Sequence, residues 1–344
     1  HGKGAIVNSG EVTLNGGTFK RSAEKGTYSP YVNGGNSWYT IANYGTMEIN
    51  TGVTVENAGG YSSMIRNGGD VTADCNLTIE GGNFAGGVNT VKNDSFGVLT
   101  INGGNFSNTA QYVIMNWNKA EITAGTFQTL DTASAVLFTS AYDADANTIG
   151  KLSISGGEFK HASDTQEMIV DHYDASNSGT AAVTGGRFDA DISAYVPNGY
   201  IQNENGAVET LGETNAVAKV GGTYYKTLAD AVAAAQDGDT ITLLKDAELT
   251  STLNLAKNIT IDGQGKYTIK AANSFTVGSD NKTYCVLYVS GEVTLKDVTV
   301  NGNEKCRVIF CDKGKLTIDG ATITNGKAPN FIGGVYMTSS ASFE

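Results

Sequence analysis

Polar and apolar residues alternate along this chain in a phrase that returns six times within the first 190 residues. It reads VTLNGGTF from Val12, LTIEGGNF from Leu77, LTINGGNF from Leu99, AEITAGTF from Ala120, LSISGGEF from Leu152 and AAVTGGRF from Ala181. Strict alternation, as in Leu99-Thr100-Ile101-Asn102, marks a strand with one buried face. The glycines then turn the chain and a phenylalanine returns to the interior. Those phenylalanines stand at 19, 84, 106, 127, 159 and 188. The shortest intervals, from Phe84 to Phe106 and from Phe106 to Phe127, fit about three short strands with their turns and leave no room for a helix. Longer intervals read as the same coil carrying a loop. The wide slot between Phe19 and Phe84 holds a degenerate copy, Met47 to Gly52. One unit stacked on copies of itself is a solenoid, which here predicts an all-β parallel β-helix.

A second column supports that register. Ahead of the phrase an apolar strand runs into an asparagine at a turn: Ile6-Val7-Asn8, Ile41-Ala42-Asn43, Val91-Lys92-Asn93 and Ile114-Met115-Asn116. Asparagine tolerates turn conformations, and stacked amides can bond from coil to coil, so an internal asparagine ladder is expected. Asp171 aligns with this column. The residues just after it, Tyr44, Trp117 and His172, should then face solvent, as Ser9 and Asp94 do in other coils. These coils resemble the right-handed pectin-lyase-like superfamily, and the right-handed winding is implied by that resemblance together with the general preference of parallel crossovers.

The repeat fails once. After Phe188 comes FDADISAYVPNGY and a polar stretch to Thr214, so residues 1–209 read as the end of a first stack and 210–219 as a linker. Residues 220–344 read as the start of a second stack, opened by a short capping helix near 227–236. Thr227 suits its N-cap, Asp230 suits the dipole at its third position, and Leu228, Val232 and Ala235 share one face. The phrase returns at Ile241-Thr242-Leu243, Ile259-Thr260-Ile261-Asp262, Val293-Thr294-Leu295-Lys296 and Leu316-Thr317-Ile318-Asp319. This order, a β-helix tail followed by YYKTLADAVAAAQDGDTITLLKD, is similar to the tandem β-helix surface proteins of Gram-positive bacteria. That resemblance implies an extracellular, cell-surface location and says little about activity.

Composition agrees with short strands and tight turns, with 44 Gly and only 3 Pro in 344 residues. The net charge of −12 argues against a nucleic-acid partner. No apolar run is long enough to cross a membrane. The chain opens inside a repeat and stops in what reads as the opening of another, so it is expected to be a piece of a longer polypeptide.

Candidate chemistry is sparse. In the second stack Asp262, Lys296 and Asp319 fall in one outward column, which would serve a polysaccharide lyase or glycoside hydrolase on a pectin-lyase-like scaffold. Charge pairing across coils accounts for the same column. Asp143, Asp145 and Asn147 match the first ligands of a calcium loop, but Thr148 and Ile154 break the pattern, leaving a weaker Ca2+ site that carbonyls or a neighbouring coil would have to complete. Cys75, Cys285, Cys306 and Cys311 have no metal-binding spacing and read as buried thiols, with a disulfide between cysteines of adjacent coils, such as Cys285 and Cys306, as the alternative. The aromatic residues Tyr44, Trp117 and His172, with Trp38 and Tyr39 nearby, offer a line on which sugar rings could stack, the alternative being that these rings pack under adjoining loops. The sequence therefore favours a non-catalytic, adhesin-like or glycan- or host-binding stalk. Enzyme and end-to-end self-assembling solenoid stand behind it.

Overall fold

The structure is a computed structural model that describes residues 4–21, 39–57, 62–108, 110–130, 133–142, 148–174, 176–328 and 332–343. The chain is almost entirely β and divides into two compact units, His1–Glu209 and Thr210–Glu344.

In the first unit each coil supplies strands to three faces, and strands of successive coils pair in parallel. One face is a 7-stranded sheet built from Ile6–Asn8, Ile41–Asn43, Ile65–Asn67, Asn89–Asn93, Tyr112–Asn116, Ala135–Thr139 and Glu167–Val170. The other two form a 12-stranded sheet whose halves are joined by the long strand Thr46–Asn57. One half carries the alternating phrase, with Met47, Leu77 and Leu99 in register. The other carries the phenylalanines. Val53 stands where Gly17 stands in the preceding coil, and in both coils the strand runs through the corner, as Glu11–Arg21 and Thr46–Asn57.

The phenylalanine column is continuous from Phe84 to Phe188. Ring centroids lie 4.6, 4.9, 4.7 and 4.5 Å apart and successive planes differ by no more than 10°. Val55 fills the phenylalanine position of the degenerate coil and separates Phe19 from Phe84. Opposite this column runs the asparagine ladder. Asn8 Nδ2 donates to Asn43 Oδ1 (2.7 Å), Asn43 to Asn67 (2.8 Å), Asn67 to Asn93 (2.9 Å) and Asn93 to Asn116 (2.8 Å). Each amide from Asn43 to Asn116 is fully buried, and its other hydrogen is left for the backbone carbonyls around it. Burial without a partner would be costly, so every amide fixes the corner of the next coil. Asn67 belongs to the ladder although the sequence reading passed over it. The last donor, Asn116, bonds the hydroxyl of Thr139 (3.0 Å) rather than another amide. Asp171 does not extend the ladder as the alignment implied. Its carboxylate contacts His172, and its carbonyl accepts the amide of Gly179 where a hairpin leaves the coil. Past Phe188, Ile192, Val196 and Val208 fold back onto the core.

The second unit has the same three-faced plan, in sheets of seven, four and four strands. Inward rows are aliphatic: Ile241, Ile261, Leu295 and Ile318 stack on one face, and Leu253, Leu287, Ile309 and Val335 on another. Its helix is shorter than expected, Leu228–Ala234. The Thr227 side chain accepts the Asp230 amide (3.0 Å), and Leu228, Ala231, Val232 and Ala235 are buried. The Lys257 ammonium donates to the carbonyls of Val232 (3.1 Å), Ala233 (2.7 Å) and Ala235 (2.6 Å), so a cation closes the C-terminal end of the dipole. The stretch 210–219, expected as a linker, is partly built into this unit. Ala216 and Ala218 are fully buried, and Ala218–Val220 pairs antiparallel with Thr223–Tyr225 and Thr240–Leu243.

Candidate functional site

In the first unit the outward positions of the 7-stranded sheet stack as strictly as the inward ones. Arg66, Lys92, Met115 and Phe138 are in register. After the ladder residue the chain presents Tyr44, Asp94 and Trp117, each donating its backbone N–H to the ladder residue's carbonyl in the preceding coil (2.7 to 2.8 Å). Of these, Arg66, Lys92, Asp94, Met115 and Trp117 floor a groove of about 560 Å3 lined also by Asp70, Gln111, Tyr142 and Tyr173.

One end of the groove is charged. Asp94 Oδ2 takes Arg66 Nε (3.0 Å), Arg66 Nη2 (3.0 Å) and Lys92 Nζ (2.9 Å), while Oδ1 accepts the Ser95 amide (3.1 Å). Burial would raise the Asp94 carboxyl, but Lys92 and Arg66 outweigh it and hold it below its ordinary range. Arg66 is pulled down by burial and more than restored by Tyr39 and Asp94, so its net direction is upward. Its guanidinium lies over the rings of Tyr39 (5.3 Å) and Tyr44 (6.0 Å). Burial pushes the Tyr39 phenol up to about 12. These contacts lock the long Arg66 side chain in one pose.

The other end is aromatic. Trp117 was expected in solvent, but it is only 5% exposed. Phe138 (4.8 Å), Tyr142 (5.4 Å) and Tyr173 (5.4 Å) pack edge-on around it. Tyr142 and Tyr173 are each 58% exposed, so the rings that reach the surface rest on a buried indole. His172, also expected on the aromatic line, does not line the groove. It is exposed on a hairpin with Nδ1 3.0 Å from Asp171 Oδ1, and the next residue takes its place: the Tyr173 amide donates to Ser140 Oγ (3.0 Å). Tyr39 and Tyr44 do meet, but around Arg66 and not in a row with Trp117. Trp38 lies outside the described residues, as do Asp143, Asp145 and Asn147. Among the described residues no group of three His, Cys, Asp or Glu could hold a metal ion.

In the second unit Asp262, Lys296 and Asp319 stand on adjacent coils of one face. Lys296 Nζ donates to Asp262 Oδ2 (3.0 Å). Burial would raise the Asp262 carboxyl, but the Gln264 amide and the Lys296 ammonium lower it overall. Lys296 is raised, first by its hydrogen bond to Asp262 and further by Asp297 and Asp319. A lysine held in its charged form is a poor general base. The four cysteines are free and buried. Burial pushes Cys285 up to about 12, with Cys306 adding to it, and Cys306 up to about 11.

Arg66, Lys92, Tyr142 and Tyr173 were missed in the sequence. Arg66 and Lys92 were within reach, since each precedes a ladder asparagine at the outward position; nothing local marks Tyr142. No protein-family model matches the chain, and neither does any curated protein or solved structure.

Proposed function

We propose that the chain is a non-catalytic, glycan-binding or host-binding segment of a bacterial cell-surface protein, wound as two tandem right-handed parallel β-helices, with the groove of the first unit as its binding site. The surface location and the handedness rest on the architectural resemblance and on the preference of parallel crossovers. One observation carries the binding reading: two tyrosines more than half exposed are braced on a buried tryptophan beside a fixed cluster of Arg66, Lys92 and Asp94. Rigid aromatic rings give contact area at little entropic cost, and positioned polar groups beside them fix orientation. No comparable observation favours hydrolysis or elimination, because the Asp262 and Lys296 pair is an ion pair with its lysine held charged.

The test is a glycan array probed with the intact chain, followed by titration of the best binder against the double variant Tyr142→Ala with Tyr173→Ala. Both rings are largely exposed but cover Trp117, so the chain should stay folded with a modest loss of melting temperature while affinity falls about ten-fold or more, equivalent to about 1.4 kcal/mol. An array without binders, or an affinity indifferent to the double variant, refutes the reading.

A further inference from the structure

The second unit holds a cation that no carboxylate among the described residues neutralises. Arg307 is only 6% exposed. Its Nε donates to the Ile332 carbonyl (3.1 Å) and its Nη1 to Asn281 Oδ1 (3.2 Å), both neutral acceptors. Its guanidinium centre lies 4.8 Å from the centroid of the Tyr336 ring and 5.8 Å from that of Phe310. Among the described residues no carboxylate pairs with it. Asp312, on the same stretch of chain, is engaged by Lys282 (3.7 Å) and by the Thr338 hydroxyl (3.2 Å).

Taking a charge out of water without a counter-ion is expensive, and aromatic faces with two neutral dipoles offset only part of that cost. A guanidinium has five N–H groups in a planar fork, and two are used here, leaving one on Nη1 and both on Nη2. The surroundings are largely aromatic, with the Lys282 ammonium 5.6 Å from the centroid of the Tyr288 ring. Tyr288, Phe310 and Tyr336 are register partners on successive coils, their ring centroids 5.9 and 5.5 Å apart. Tyr288 and Tyr336 are half-buried, and Ile332 is 40% exposed beside them. A fork missing its anion, set against half-open rings, has the chemistry of a receptor for a carboxylate attached to an apolar body.

We propose that Arg307 and Tyr336 form a binding site for such a carboxylate, the guanidinium taking the anion and the tyrosine ring the body that carries it. This site lies wholly within the second unit and does not depend on the groove of the first. The probe is phenylacetate, titrated calorimetrically into the intact chain at constant ionic strength, with phenylacetamide as its neutral isostere. Phenylacetate should bind saturably and about ten-fold or more tighter than the amide, as a charge-assisted bond requires. Arg307→Lys should weaken phenylacetate and leave the weak amide binding in place, because an ammonium cannot form the fork. N-acetylphenylalanine distinguishes the source of the carboxylate: tighter than phenylacetate points to a peptide C-terminus, weaker to a free organic acid, and either order supports the site. Should Arg307→Lys fail to fold, the comparison of acid with amide on the unaltered chain decides alone. Equal affinity for acid and amide, or no saturation by phenylacetate, overturns the proposal.

Discussion

Asn93→Asp replaces one Nδ2 by an oxygen of almost the same size, so it tests whether the asparagine ladder holds the coils by hydrogen bonding or merely fills space. The Asn93 Nδ2 donates to Gly97 O (3.0 Å), Asn116 Oδ1 (2.8 Å) and Lys119 O (2.9 Å), and the residue is fully buried. A carboxylate there would face three oxygens. The folded variant must therefore keep a proton on the side chain, and its single O–H can serve one of the three acceptors. The other two meet a lone pair at about 1 kcal/mol or more each, which gives roughly 2 kcal/mol independent of pH. Holding an acid of ordinary value near 3.9 neutral at pH 7 costs a further 4 kcal/mol or so, at about 1.36 kcal/mol per unit.

The sign follows from linkage. The folded-state value is raised above the unfolded one, so the proton-dependent penalty is absent below about pH 4 and grows as the pH rises toward the folded-state value. Urea unfolding of the unaltered chain and of Asn93→Asp at pH 4, 5.5 and 7 measures the difference, in which all other titrations cancel. The gap should widen from about 2 kcal/mol at pH 4 to about 6 at pH 7. A gap that stays constant with pH, or a variant as stable as the parent at pH 7, would mean that the ladder amides do not carry the bonds that the geometry assigns them.

Gly104 has φ +110°, and a Cβ there would lie 3.1 Å from the Phe106 ring and 3.3 Å from Gly82 O. Gly104→Ala should cost about 2 kcal/mol, combining a strained backbone with crowding of the phenylalanine column, and thermal unfolding checks it. With Cys285 pushed up to about 12 and Cys306 up to about 11, and Cys75 and Cys311 also raised by burial, none of the four thiols should react with an aromatic disulfide reagent at pH 8 until denaturant is added. Rapid labelling of the folded chain would show that its interior opens.

The interior was legible because stacking repeats it. Phe84, Phe106, Phe127, Phe159 and Phe188 recur at one point of each coil, so each ring stacks on the copies above and below and the column follows from spacing alone. Val55 was equally constrained but lacks the aromatic signature, and it became visible only through its pairing with Phe19 and Phe84. Asn67 was hidden because the glycines that follow it, Gly68 and Gly69, open an irregular turn where the phrase was expected. Trp117 was misplaced for a different reason. Register correctly put it outside the sheet, but being outside a sheet is not the same as being exposed, and later segments of the chain cover it.

Those segments explain where the groove comes from. The corner between ladder residue and phrase strand is short in the coils that pass from Asn93 to Gly97 and from Asn116 to Lys119, and these supply the floor, Asp94 and Trp117. It is long in the coils on either side, from Asn67 to Cys75 and from Thr139 to Lys151, and again from Val170 to Thr180. The long corners supply the walls: Asp70 at one end, Tyr142 and Tyr173 at the other. A solenoid whose corners were all equal would present a flat ribbon here. Two short corners between long ones leave a trough about two coils wide, roughly 10 Å at the usual strand spacing, which suits one or two sugar rings or a short peptide. The position of such a trough is thus set by the lengths of segments that contribute little to the core, and it can be read from the interval between each ladder residue and its phrase. Which side chains wall it in cannot be read that way, because the corner residues obey no repeat.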